Sequence, residues 1–263
     1  MPRSPKKTGK YNQKHSGGKN RKAPSRSHDW LYGRHAITAA LANPDRQITL
    51  LHVTSNTLRD FEAAARQRDI TPTLMTTSEI SALLPPGAVH QGIAAKVQPL
   101  KEVALDELPL DRTVIVLDQV TDPHNVGAIL RSAAVFNASS IIMTRRNSPP
   151  LTGVLAKSAC GALEHVNVVY VGNLSQALKE LGKTGFWRIG LDGQGETALE
   201  ASAPEVRKNT PIALVLGAED KGMRRLTTEQ CDEVCHITTK GQLASLNVSN
   251  AAAIALHTVS QTG

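Results

Sequence analysis

The stretch TVIVLDQVTDPHNVGAILRSAAVFNASSIIM, residues 113–143, decides how the chain folds. It opens on Thr113 to Leu117, apolar or β-branched throughout, as a buried strand requires. Near Asn125 the period changes. At 100° per residue, Val126, Ile129, Leu130 and Ala133 share one face, the stripe of a core-facing helix, and Arg131 projects away from it. Ser140 to Met143 then reads as a second buried strand. A strand, a helix and a strand in so short a span place the two strands parallel, with the helix as the crossover.

The same alternation continues outward. Val166 to Tyr170, Trp187 to Leu191, Ile212 to Leu216 and Val234 to Ile237 are further strand candidates, with helical stretches between most of them. The expected class is α/β, a parallel sheet covered by helices on both faces. Toward the amino terminus, Pro99 to Arg112 has two prolines, mixed charge and weak periodicity, and reads as a linker. Before it, Leu31 to Leu41 reads as a helix, Ile48 to Val53 as a strand, Leu58 to Arg68 as a helix and Ile93 to Val97 as a strand. These form a small α/β unit at 28–98, followed by the linker at 99–112 and the larger unit at 113–263.

Charge separates one more segment. Residues 1–27 hold nine Lys or Arg and no Asp or Glu; removing those nine from the 30 basic residues leaves 21 against 23 acidic ones. The net charge of +7 therefore belongs to the tail. With almost nothing apolar to bury, the tail is expected to be disordered when free and suited to a polyphosphate partner, or to act only as a solubilising segment. It shows neither an amphipathic transit face nor a secretory apolar run, and no apolar run in the chain reaches the roughly 20 residues of a membrane span. The expected setting is the cytoplasm, with no membrane partner. Three cysteines, an odd count, suggest a reducing compartment and no disulfide.

In open parallel sheets, ligands lie beyond the carboxyl ends of the strands. Three loops there carry polar residues and glycine that a plain connection does not need: DPHNVGAILR (122–131), LGAEDKG (216–222) and SLNVSNAAA (245–253). In the first, Asn125 either caps the helix or fixes a hydroxyl, and Arg131 is either a surface residue or a fork for phosphate. In the second, Gly217, Ala218 and Gly222 make a plain turn, or let a flat ligand approach the backbone with Glu219 beside it. In the third, Ser245, Asn247, Ser249 and Asn250 stand just ahead of an alanine-rich helix as caps or ligand contacts.

Two other patterns are set aside. GQGETA (193–198) fits a dinucleotide fingerprint, but it does not open a first βαβ unit. Cys231, Cys235 and His236 lack a second ligand pair at zinc-finger spacing, so no metal is expected.

Taken in order, the three loops resemble the signature motifs of the SpoU (TrmH) family of RNA 2′-O-methyltransferases, within the SPOUT superfamily. VIVLDQVTDPHNVGAILRSAAVFNA, ALVLGAEDKGM and LASLNVSNAAAIAL carry the likeness, which spans Val114 to Val259. LYGRHAITAAL and HQGIAAKV extend it to the small L30e-like RNA-binding domain of ribosomal members, in particular those that methylate a guanosine of large-subunit ribosomal RNA. The resemblance implies a catalytic domain with a parallel sheet and a carboxy-terminal trefoil knot, and a homodimer whose active sites draw on both chains. It implies S-adenosylmethionine as methyl donor, held by Gly217, Ile237 and Leu246 with Ala218 and Ser245 nearby. It also makes Asn125, Arg131, Glu219 and Asn247 the catalytic set, acting on ribosomal RNA.

The implied reaction is an in-line attack of a ribose oxygen on a sulfonium methyl, for which alignment supplies much of the rate. Family proposals make the motif-one arginine the base; a guanidinium offers donors only, so Arg131 is expected at least to clamp the target phosphate and orient the hydroxyl. Asp220 and Asn250 depart from the common pattern, which bears on loop geometry and target choice. A transfer-RNA enzyme of the same chemistry is the first alternative, against which the amino-terminal domain speaks. A noncatalytic RNA-binding protein on the same scaffold is the second, against which the full polar set speaks.

Overall fold

The computed structural model describes residues 29–146, 148–149, 151, 153–202, 210–241 and 245–261, so the basic tail lies outside the described residues. The chain first builds a four-stranded sheet from β1 (Trp30–Tyr32), β2 (Ile48–Val53), β3 (Thr73–Leu74) and β4 (Ile93–Val97), in the order β1-β4-β2-β3. β4 pairs antiparallel with β1 and β2, and β2 pairs parallel with β3. Strand alternation sends Leu51, Val53, Ile93 and Ala95 to one face, where Ile37, Ala40 and Leu41 of α1 (Arg34–Ala42) and Phe61 and Ala65 of α2 (Ser55–Gln67) cover them. Tyr32 and Ala94 point the other way, against Ile80 of α3 (Thr77–Leu83).

The helix expected from Leu31 starts only at Arg34. Trp30 to Tyr32 is drawn into pairing with β4, and Gly33, at φ +89°, makes the turn between strand and helix that most side chains resist. β3 and α3 were not anticipated. α3 opens with a capping box in which Glu79 N donates to Thr76 Oγ1 (3.3 Å) and Thr76 N donates to Glu79 Oε2 (2.7 Å). The proline-bearing stretch after β4 is also more than a tether, because Leu108 is buried and Val103 and Leu105 pack with it against the second sheet.

That second sheet has seven parallel strands: β5 (Val114–Asp118), β6 (Ser140–Thr144), β7 (Asn167–Val171), β8 (Trp187–Leu191), β9 (Thr197–Ala198), β10 (Ile212–Gly217) and β11 (Glu233–His236). Their order is β7-β6-β5-β10-β8-β11-β9. The six expected strands fall within a residue of their predicted ends, and the short edge strand β9 is added. Ile115 and Leu117 face α4 (Pro123–Val135), α5 (Gly153–Ser158) and α7 (Val248–Ser260), while Val114 and Val116 face α6 (Leu174–Lys183). Both faces are therefore covered, which is why these strands read as continuous apolar runs.

A buried ion pair joins the two sheets' units. Arg46, in the loop between α1 and β2, donates from Nε (3.0 Å) and Nη2 (2.8 Å) to Glu164, in the turn before β7. Their side chains are only 6% and 2% exposed. Asn43 Nδ2 donates to the same carboxylate at 2.7 Å, and Arg46 Nη1 to the Gln98 carbonyl at 2.9 Å.

Candidate active site

The site begins at the carboxyl end of β5. Asp122 caps α4 by accepting from His124 N (2.9 Å), and Pro123 occupies the helix start, where a missing N–H costs nothing. Sequence reading put the helix start near Asn125, with Asn125 as a candidate cap. Capping falls to Asp122 instead, which leaves the Asn125 amide free to reach across to the loop after β10.

There it meets Glu219. Asn125 Nδ2 donates to Glu219 Oε1 at 3.0 Å, Val248 N donates to the same oxygen at 3.3 Å, and Asn247 Nδ2 donates to it as well. Asn247 Nδ2 also reaches Asn125 Oδ1 at 3.1 Å. Asn247 is at the same time the cap of α7, its Oδ1 accepting from Ser249 N (2.9 Å) and Asn250 N (3.3 Å). Ser249 and Asn250 thus belong to the first turn of the helix rather than preceding it. One carboxylate oxygen ties together all three loops singled out in the sequence. Arg131 stands outside this network, exposed on α4 nearly two turns beyond Asn125.

Beside the network opens a cleft of about 660 Å³, walled by the ends of β8, β10 and β11 and the approach to α7. Gly217, Ala218, Ile237, Ser245 and Leu246, the five expected donor contacts, all line it, and Glu219 stands on its rim. Leu191, Leu216, Val248 and Ala251 supply apolar wall. The β10 loop doubles back on itself, with Gly222 N donating to Ala218 O (2.8 Å) and Ala218 N to Gly222 O (3.2 Å). This fold-back is possible only because residue 217 has no side chain: a Cβ there would sit 2.0 Å from the Gly222 carbonyl carbon.

Two features of the site were not legible in the sequence. Asp118, fully buried at the end of β5, accepts from Arg224 N (2.9 Å) and Arg224 Nε (2.7 Å), which pins the far end of the β10 loop. Asp192, at the end of β8 and just before the segment weighed only as a dinucleotide fingerprint, lines the cleft. Neither has a local signal, since the partners are brought together by strand order alone.

Among the described residues, no group of three or more His, Cys, Asp or Glu is placed to hold a metal ion. His236 Nδ1 contacts the Gly195 carbonyl at 2.9 Å instead. Burial pushes the Cys231 thiol up to about 12 and the Cys235 thiol up to about 11, so both are protonated at neutral pH and unreactive as nucleophiles. Cys160 is exposed. A thiol reagent at pH 7 is therefore expected to modify one cysteine of three in the folded protein and all three after denaturation. Mass spectrometry checks this, and rapid native labelling of Cys235 would contradict the closed packing behind the cleft.

Comparison with known proteins finds matches along most of the chain. Residues 112–257 match the SpoU rRNA Methylase family, and residues 30–103 match the family described as RNA 2′-O ribose methyltransferase substrate binding. The 23S rRNA (guanosine-2′-O-)-methyltransferase RlmB of Photorhabdus laumondii is 37% identical over 243 residues, covering 86% of this chain and 95% of its own. An uncharacterized tRNA/rRNA methyltransferase of Synechocystis sp. is 36% identical over 243 residues, covering 88% of this chain; this chain spans only 62% of that relative's length. Among solved structures, the SpoU methyltransferase AviRb of Streptomyces viridochromogenes in complex with AdoMet superposes with a TM-score of 0.74 at 21% identity, over 88% of this chain and 89% of AviRb. That last likeness is one of fold: α/β with a mostly parallel sheet.

Proposed function

The chain belongs to the SpoU rRNA methylase family, and from that premise we propose that it transfers a methyl group from S-adenosylmethionine to the ribose 2′-hydroxyl of a guanosine in 23S ribosomal RNA. The observation that carries this reading is the convergence of Asn125, Glu219 and Asn247, from three separate loops, at the rim of one glycine-walled cleft.

The residues present suit the donor. A volume of about 660 Å³ lies within the usual range for a small-molecule site. The small residues Gly217 and Ala218 let a flat base approach the loop backbone closely, with Ile237 and Leu246 as apolar cover and Ser245 beside them. When bound, S-adenosylmethionine supplies an electrophilic methyl group on a sulfonium sulfur. Glu219 and the two asparagines form the polar rim that orients the incoming ribose. Arg131, whose five donors form a planar fork, grips the phosphate of the target nucleotide and thereby fixes where the hydroxyl stands.

Several further features belong to the same proposal. The protein acts as a homodimer with each site drawing on both chains; Val135, 71% exposed, and Ile254, 38% exposed, on the mutually packed helices α4 and α7, support an apolar meeting face. The carboxy-terminal stretch is threaded as a trefoil knot. In support, the chain leaves β11 beyond β8, yet returns as α7 against α4 on the far side of β10. The unit at 28–98 is an L30e-like domain that binds the RNA substrate, and the work is done in the cytoplasm. No helix among the described residues is long and apolar enough to cross a membrane.

Deleting the gene and mapping 2′-O-methyl groups across ribosomal and transfer RNA is expected to remove one guanosine site in 23S RNA. Loss confined to transfer RNA, or no loss, would overturn the substrate assignment. With purified protein, Arg131→Lys keeps the charge but removes the fork, and is expected to lower kcat/KM about ten- to hundredfold, as the loss of a charged hydrogen-bonded contact does. Undiminished turnover would remove the clamp from the mechanism.

A further inference from the structure

The turn that follows β8 serves neither as a dinucleotide fingerprint nor as a simple connection to β9. Its first residue, Asp192, is fixed from three sides. Asp192 N donates to the Cys235 carbonyl (3.0 Å), Gly195 N donates back to the Asp192 carbonyl (3.0 Å), and Gln194 N donates to Asp192 Oδ1 (2.9 Å). The second carboxylate oxygen, Oδ2, has a different outlook. It lies beside the β10 loop at the wall of the cleft, close enough that a Cβ added to Gly222 would lie 3.2 Å from it. Asp192 forms no ion pair among the described residues. A half-buried carboxylate held by its own backbone in the wall of a cleft, with one oxygen that accepts no hydrogen bond among the described residues, is an acceptor awaiting a donor.

Its place in the sheet narrows what that donor is. β10 is flanked by β5 on one side and β8 on the other. The Asn125, Glu219 and Asn247 network belongs to the β5 side, so the reacting end of the methyl donor points there. Asp192 stands on the β8 side, directly after Leu191, where Leu191, Leu216 and Ile237 contribute apolar lining that suits an adenine ring. The polar group next to an adenine is its ribose, whose vicinal hydroxyls both donate hydrogen bonds. We infer that Asp192 binds the ribose hydroxyls of the methyl donor through Oδ2, making the 192–195 turn a nucleoside-binding element. This rests on the reading of the cleft as the S-adenosylmethionine site.

The test is equilibrium binding by calorimetry, with 5′-methylthioadenosine and S-adenosylhomocysteine as probes. The first has the nucleoside but no amino acid, and the second has both. Asp192→Asn keeps the Oδ1 acceptor for Gln194 and removes the charge. It is expected to weaken both probes by the same factor, about ten- to hundredfold, as loss of a charge-assisted hydrogen bond does. Asp192→Ala should weaken both at least as much, with its thermal unfolding compared to that of the parent protein. If only S-adenosylhomocysteine is weakened, the carboxylate faces the amino-acid ammonium and the ribose assignment is wrong. If neither probe is weakened, Asp192 contacts nothing in the donor. If the unsubstituted protein binds neither probe, the donor site itself is misassigned, a failure distinct from the other two.

Discussion

Glu164→Ala is expected to lower the unfolding free energy by about 3–5 kcal/mol, the cost of removing one partner of a buried ion pair. The size follows from what stays behind. Arg46 keeps its bond to the Gln98 carbonyl, but the guanidinium loses the carboxylate that offset its desolvation, in a place where its side chain is 6% exposed. Water cannot take over without opening the contact between the turn before β7 and the loop between α1 and β2. Chemical denaturation measures the loss. The double variant Arg46→Met with Glu164→Leu removes both charges and fills a similar volume, and is expected to regain most of the stability, as replacement of buried pairs by apolar residues often does. A loss below about 1 kcal/mol for Glu164→Ala would place this pair with exposed bridges, which contribute little.

Gly217→Ala is expected to abolish binding of S-adenosylmethionine while leaving most of the sheet folded. The added methyl carbon would lie 2.0 Å from Gly222 C and 2.2 Å from Met223 N, both backbone atoms that no rotamer change can move. The β10 loop has to unfold from its Ala218–Gly222 pairing, which carries Glu219 away from Asn125 and Asn247. Overpacking of this kind costs about 1–3 kcal/mol of stability. The loss of donor affinity should be much larger in relative terms, more than a hundredfold by calorimetry. Parent-like affinity in Gly217→Ala would mean that the loop conformation is not what holds the donor.

The parallel sheet was legible because strands buried on both faces must be apolar along their whole length, and six such runs stand out between Thr113 and Ile237. What stayed hidden was whatever depends on distant partners. Trp30 to Tyr32 looks like the first turn of a helix until β4 is present to pair with it, and the two residues of β9 gain their place only from β11. α3 is a different case, since Thr76 and Glu79 carry a capping-box spacing that weak flanking periodicity left unread. At the site, the five residues expected around the donor line one cleft and three of the four expected polar residues meet in one network; all but Ile237 lie within loops whose composition is odd for a plain connection. Asp118 and Arg224 are 106 residues apart in sequence and carry no such mark.

The cleft takes one wall, and Glu219 takes two of its three hydrogen-bond donors, from residues 245–251. A growing chain that has just released β11 from the ribosome holds every strand of the seven-membered layer, yet lacks that wall and both of those donors. The cleft therefore closes only in a late step of biosynthesis, when α7 docks on α4.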